Sequence, residues 1–240
     1  MTELRQQMIR AMDLKNLSDN TQRSYLGAIS GLAKYYHQSP DQISKEQIED
    51  YLLYLKNDQG NAPNSCAGAL TGIRFFYKHV TKQPLAIDFS LSRKVRKLPT
   101  VLTQEEIWDI INAAENLKHR MILMTTYSGG LRAGEVMLLK PKHIESKSML
   151  IKIEKGKGGK DRYTTLSKKL LEELRHYYKT CKPETYLFPS SYKHKKGQPL
   201  SYEAIRCIYE KARKKAGVKK GDGIHTMRHY AEFWIMPSKL

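Results

Sequence analysis

Residues 149–166 read MLIKIEKGKGGKDRYTTL. Two short apolar or β-branched runs, Met149 to Glu154 and Tyr163 to Leu166, flank a segment too rich in glycine and lysine to extend either of them. That pattern predicts a β-hairpin with a glycine-rich, basic tip, in a chain whose other periodic segments read as helices. On the C-terminal side, helices are expected to resume after Ser167 and after Ser201. On the N-terminal side, Thr103 to Glu106 spells T-x-x-E, a capping box that opens a long helical stretch running to the Gly129-Gly130 pair.

Further toward the N-terminus the helical period fails between Lys82 and Thr100, where Pro84 and Pro99 punctuate a basic run of Arg93, Lys94, Arg96 and Lys97. This reads as an interdomain linker. Before it, residues 1 to about 80 read as helix throughout. Tyr25, Ile29, Leu32 and Tyr36 recur at three- and four-residue steps, Ser44 to Gln47 matches S-x-x-Q, and Pro63 stands where a helix can begin. The stripe continues through Leu70, Ile73, Phe76, Tyr77 and Val80, and a compact four-helix unit follows. The aromatic residues of this part are read as core.

The chain of 240 residues, 40% hydrophobic, is long enough to bury real cores, which argues against disorder. No stretch approaches the roughly 18 apolar residues of a membrane span, and the N-terminus is charged and helical rather than an apolar signal, so a cytoplasmic protein with no membrane partner is expected. Cys66, Cys181 and Cys207 lack any metal-ligand spacing and read as buried free thiols. Neither a structural metal nor a cofactor is called for. The net charge of +18 is regional: +1 over residues 1–80, +7 over 81–160 and +10 over 161–240. Such a surface suits a polyanion, and nucleic acid is the natural partner.

Three pieces carry chemistry: Gly130-Leu131-Arg132 with Glu135, the tip from Gly156 to Arg162, and His225-Thr226-Met227-Arg228-His229. Each alone has a plain structural reading. Arg132 can cap a turn or pair with Glu135 three residues on, the tip can be a solvated hairpin end without the form of a phosphate-binding P-loop, and His225 and Arg228 can be a surface pair on one helix face. Together they supply what transfer at a phosphodiester needs without a metal. Two arginines can clamp the non-bridging oxygens of one phosphate, Lys157 can protonate a leaving oxygen, and His225 can donate to the phosphoryl group or hold the attacking atom. No carboxylate cluster with Mg²⁺ spacing accompanies them.

Taken in this order the motifs resemble those of the tyrosine recombinase (phage integrase) family, over residues 1 to about 230. SDNTQRSYLGAISGLAKYY (18–36) is similar to the opening of the family's helical core-binding domain, GLRAGEVMLLK (130–140) to its first-arginine motif, IEKGKGGKDRYTTLS (153–167) to its catalytic-lysine hairpin, and HTMRH (225–229) to its His-x-x-Arg box. The resemblance implies two domains. An all-α, SAM-like core-binding domain is expected at 1–83, a basic linker at 84–100, and a mixed, mainly α catalytic domain with a small antiparallel sheet at 101–240. It implies catalytic roles for Arg132, Lys157, His225 and Arg228, with Arg93, Lys94, Arg96, Lys97, Lys160 and Arg162 on double-stranded DNA. Site-specific strand breaking and rejoining through a 3′-phosphotyrosyl intermediate, and self-association or assembly with an intact recombinase on DNA, are the activity and partnership it implies.

The pattern breaks off after the box. The family continues with an LGH-type motif and a nucleophilic tyrosine, whereas YAEFWIMPSKL (230–240) holds no further histidine, and Tyr230 stands only two residues past Arg228. The expectation is therefore an incomplete catalytic domain that lacks its nucleophile, with Tyr230 a packing residue and His229 structural. The competing readings are a non-catalytic DNA-binding protein that occupies recombination sites and blocks an intact relative, and a basic RNA-binding protein, for which no RNP-type aromatic motif is present.

Overall fold

A computed structural model describes residues 2–85, 100–154, 156 and 160–228, and the chain divides into two compact units, Met1–Arg96 and Lys97–Leu240. The first unit is built of α1 (Glu3–Leu14), α2 (Asp19–Tyr36), α3 (Lys45–Asn57) and α4 (Pro63–His79). Their starts follow from local chemistry. The Ser18 hydroxyl accepts the Thr21 amide, Ser44 and Gln47 cap each other reciprocally, and Pro63 opens α4, where its missing N–H costs nothing. The core is Met8, Met12, Leu32, Ile48, Leu52, Ile73 and Phe76 with their neighbours. Helix α2 packs chiefly on α4, and a Cβ at Gly72 would stand 3.0 Å from the Tyr25 Cα, so glycine there lets the two backbones close up.

The second unit holds α5 (Gln104–Ala113), α6 (Leu117–Ser128), α7 (Ala133–Met137), β1 (Ile144–Glu145), β2 (Leu150–Ile153), β3 (Arg162–Thr165), α8 (Lys168–Cys181) and α9 (Tyr202–Lys215). The strands form one antiparallel sheet in the order β1-β2-β3, with Ile144 opposite Ile151 and Ile153 opposite Arg162. Six consecutive residues of α6, Met121 to Thr126, are buried, which makes it the central helix. Around it α8 turns in Leu170, Leu171, Leu174 and Tyr177, and α9 turns in Ile205, Ile208, Tyr209 and Ala212. Ile151 and Ile153 carry the sheet onto the same core. The fold is thus an all-helical unit and a mainly helical unit with a three-stranded antiparallel sheet.

Two readings of the sequence are corrected, and one strand is added to them. The helical stretch from Thr103 to Gly129 is two helices, because Ala114 turns to an extended conformation and the Asn116 side chain caps a new start by accepting the His119 amide. Strand β1 has only two residues, too few to leave a periodic signature. Of the thiols, Cys66 is buried but Cys181 and Cys207 are exposed. Cys181 ends α8, and Cys207 falls between the buried positions of the α9 stripe and thus turns outward. Among the described residues no helix is long and apolar enough to cross a membrane, and no group of three or more His, Cys, Asp or Glu side chains is placed to hold a metal ion.

Candidate active site

Arg132 is delivered by the way α6 ends. Gly130 takes φ +58°, its amide donates to the Tyr127 carbonyl at 3.2 Å, and the Leu131 amide donates to the Thr126 carbonyl at 3.0 Å. These two bonds make a Schellman termination, in which glycine adopts the left-handed conformation without a Cβ penalty. Leu131 then buries completely and Arg132, the N-cap of α7, is left 37% exposed in its side chain.

Glu135 organises the site. Its carboxylate accepts the Arg132 amide at 2.8 Å, the Arg132 guanidinium at 2.9 Å and the Arg162 guanidinium, from β3, at 2.8 Å. The Glu135 side chain is 7% exposed. Burial pushes its carboxyl up, but the Arg132 amide and the two guanidinia outweigh that and hold it below the usual glutamate value. Two cations are thereby fixed on one buried anion, with two thirds of each arginine side chain out of solvent and the remainder open to a ligand.

The neck of the hairpin closes over the same place. The Gly156 amide donates to the Lys160 carbonyl at 3.0 Å, and a Cβ at Gly156 would lie 2.9 Å from that carbonyl oxygen and 3.8 Å from Glu135 Oε1. Glycine at the neck lets the two hairpin arms meet beside Glu135. The β3 strand is tied to the end of α6 as well, since the Thr164 hydroxyl donates to the Gly129 carbonyl at 2.9 Å. Lys160 is exposed. Lys157, and the linker residues Arg93, Lys94, Arg96 and Lys97, lie outside the described residues, as do His229 and Tyr230.

His225 and Arg228 share one helical turn, His225 exposed and Arg228 half-buried. Ile224 and Met227 root that turn in the core that Leu131, Ala133 and Val136 also enter, so both arginine motifs border one core. The loop before it is braced from α9. The buried Tyr209 hydroxyl donates to the Gly221 carbonyl at 2.6 Å, and Arg213 donates to the Val218 and Lys219 carbonyls at 3.2 and 3.1 Å. Burial pushes the Tyr209 phenol up to about 12, so it remains a hydrogen-bond donor at any pH near neutral.

The structure therefore brings Arg132, Glu135, Arg162 and the hairpin neck together. The sequence had offered Glu135 only as a pairing partner of Arg132 and Arg162 only as a DNA contact. Their three-way pairing depends on β3 folding back over 27 residues, which no local pattern announces. Spacing did contain half of the signal, in the i, i+3 step from Arg132 to Glu135.

The model for the phage integrase family matches residues 100–239, and that for the phage integrase N-terminal SAM-like domain matches residues 4–87. The chain is 38% identical over 231 residues to the Sinorhizobium fredii protein y4qK, whose name places it with integrases and recombinases, covering 95% of this chain and 74% of that protein. It is 28% identical over 219 residues to the tyrosine recombinase XerA of Pyrococcus horikoshii, covering 91% of this chain and 74% of XerA. Among solved structures, residues 75–356 of lambda integrase, crystallised as a dimer bound to a COC′ core site, superpose with a TM-score of 0.74 at 19% identity, covering 95% of this chain and 86% of that one, a likeness of fold.

Proposed function

Because the chain belongs to the phage integrase family, the site-specific tyrosine recombinases, we propose that the Glu135-centred cluster is the phosphate-activating part of a recombinase active site acting on double-stranded DNA. The observation that carries this reading is Arg132, fixed by Glu135 and flanked by Arg162 under the neck of a basic hairpin. A phosphodiester under attack gains charge on its non-bridging oxygens, and Arg132 and Arg228 neutralise it through preset N–H donors. Lys157, the residue after Gly156 in the sequence, protonates the departing 5′ oxygen, and His225 supports the same phosphoryl group. Lys160, Arg162 and the linker residues Arg93, Lys94, Arg96 and Lys97 contact the DNA backbone. The functional boundaries are taken as 1–83, 84–100 and 101–240.

The attacking group is a separate question. In the 240 residues no tyrosine follows Tyr230, which comes only two positions after Arg228. Tyr230, so close to Arg228, is not read as the attacking group, and the 240 residues by themselves are expected to form no 3′-phosphotyrosyl bond. A second reading has the polypeptide occupy recombination sites without cutting them, alone or together with an intact recombinase.

A labelled suicide duplex decides between these. The 240-residue polypeptide is expected to give no denaturation-resistant adduct, and an adduct that disappears in Tyr230→Phe overturns the missing-nucleophile reading. Grafting the segment after Tyr230 from a relative that carries an LGH-type histidine and a tyrosine is expected to restore cleavage, and Arg132→Ala or Arg228→Ala to abolish it again. In that chimera Lys157→Ala is expected to slow cleavage by about 10² to 10⁴, and a substrate with sulfur at the 5′-bridging position to rescue Lys157→Ala but not Arg132→Ala. If about six phosphates are contacted, log K falls with log salt at a slope near −5.

A further inference from the structure

Strand β3 reaches the arginine-bearing turn at two points. Its residues alternate between half-buried and exposed, so Arg162 and Thr164 share the inner face while Tyr163 and Thr165 turn outward. On β2 the same face carries the buried Ile151 and Ile153, and the ladder sets Ile151 opposite Thr164 and Ile153 opposite Arg162. The Thr164 hydroxyl donates to the Gly129 carbonyl at 2.9 Å, and the Arg162 guanidinium donates to Glu135 Oε2 at 2.8 Å. Gly129 comes three residues before Arg132, and Glu135 three residues after it. Two side chains about 7 Å apart on one strand thus hold both ends of the segment from which Arg132 projects.

The end of α6 explains why the first hold is needed. Its Schellman bonds use the Tyr127 and Thr126 carbonyls and leave that of Gly129 to a partner outside the helix, which Thr164 provides. A Cβ on Gly129 would lie 3.4 Å from Ile151 Cδ1, so the turn rests on the ladder pair that contains Thr164. The buried Leu131 side chain also presses the turn to the core, but apolar contacts carry no direction. A hydrogen bond does.

We infer that Thr164 is a positioning residue, which fixes the station of Arg132 by holding the turn in front of it while Arg162 holds Glu135 behind it. This rests on the reading of Arg132 as a ligand of the DNA phosphate. Glu135 takes the Arg132 amide and guanidinium within one short helix, so that pairing travels with the segment and does not by itself fix the segment on the sheet. The strand does so, and a guanidinium that must meet a phosphate in one geometry depends on it.

Two conservative variants of the full 240-residue chain test this. Thr164→Val keeps the shape and the strand preference but cannot donate, and Thr164→Ser restores the donor. Hydrogen exchange is read at the Leu131 amide, which donates to Thr126 in the turn, and at the Leu123 amide of the central helix, which reports general opening. Leu131 protection should fall about fivefold relative to Leu123 in Thr164→Val and stay within about twofold of wild type in Thr164→Ser. Unchanged Leu131 protection in Thr164→Val, a loss that Thr164→Ser shares, or a loss that Leu123 shares equally overturns the inference.

The grafted chimera reads the consequence for cleavage. Its single-turnover rate at saturating protein should fall about tenfold in Thr164→Val, with duplex affinity within about twofold, and Thr164→Ser should recover most of that rate. If Arg132→Ala abolishes cleavage while Thr164→Val cleaves like wild type, Thr164 does not position the arginine and the inference falls. If instead Arg132→Ala leaves cleavage intact, the phosphate reading of Arg132 falls, and the exchange result still decides whether Thr164 holds the turn.

Discussion

Two helices of the second unit begin with the same backbone step and use it differently. At α5 the Glu106 carboxylate accepts the Thr103 amide at 2.7 Å, and the Thr103 hydroxyl accepts the Glu106 amide at 3.2 Å. At α7 the Glu135 carboxylate accepts the Arg132 amide at 2.8 Å, but the N-cap is an arginine, which has no acceptor to return. The second half of the box is missing there, and in its place Glu135 takes two guanidinia. Glu106 is 28% exposed and adds only Lys220 at 3.1 Å, whereas Glu135 is 7% exposed. One capping geometry thus serves to start a helix in the first case and to station two cations in the second.

The largest expected effect separates the two glutamates. Glu135→Ala removes a buried anion from two half-buried cations and should cost about 3 kcal/mol, the low end for breaking a buried pair because both arginines keep access to water. Glu106→Ala, which removes half of a surface capping box, should cost about 1 kcal/mol. Urea midpoints of the two variants measure this, and equal losses would break the comparison.

The pH dependence sharpens it. Glu135 is pushed up by burial and pulled down further by the Arg132 amide and the two guanidinia, so its folded pKa lies below the ordinary 4.5. A carboxyl depressed in the folded state contributes stability above its unfolded pKa, and that contribution is lost as pH falls through the folded value. The stability gap between wild type and Glu135→Gln should therefore be full at pH 7 and close below about pH 4. Unfolding curves across that range suffice, and a gap that widens in acid would show that the guanidinia do not set the charge state of Glu135.

Smaller effects follow at the partners. Arg162→Ala should cost roughly 1 to 2 kcal/mol, because Arg132 still satisfies the anion. Thr103→Ala should cost about 1 kcal/mol by losing the N-cap acceptor. Lys220→Ala should stay within about 0.5 kcal/mol, as an exposed ion pair. A larger loss at Lys220 than at Thr103 would mean that the surface pair, not the cap, holds the start of α5.

What was legible in the sequence was local. Ser44, Thr103, Ser167 and Ser201 cap helices at the starts read from the sequence, because an N-cap depends on side chains within three residues of it. The β2 and β3 strands were visible from their β-branched runs. The break at Ala114–Asn116 was not, since apolar spacing continues through it and only the Asn116 cap marks a new start. At the site, Arg132 and its step to Glu135 could be read, while Arg162 on the same carboxylate required the hairpin to be folded.

Sharing one carboxylate among three donors has an evolutionary consequence. The fitness effect of a substitution at position 162 depends on what occupies 135, and that dependence reaches 132 although the two arginines belong to different elements. Drift at these positions is therefore epistatic: with Glu135 present, loss of Arg162 is buffered by Arg132, and with a neutral residue at 135 two neighbouring cations lose their common counterion and repel. In that second background either arginine is lost at less cost, so the order in which the three residues can change is constrained by the carboxylate between them.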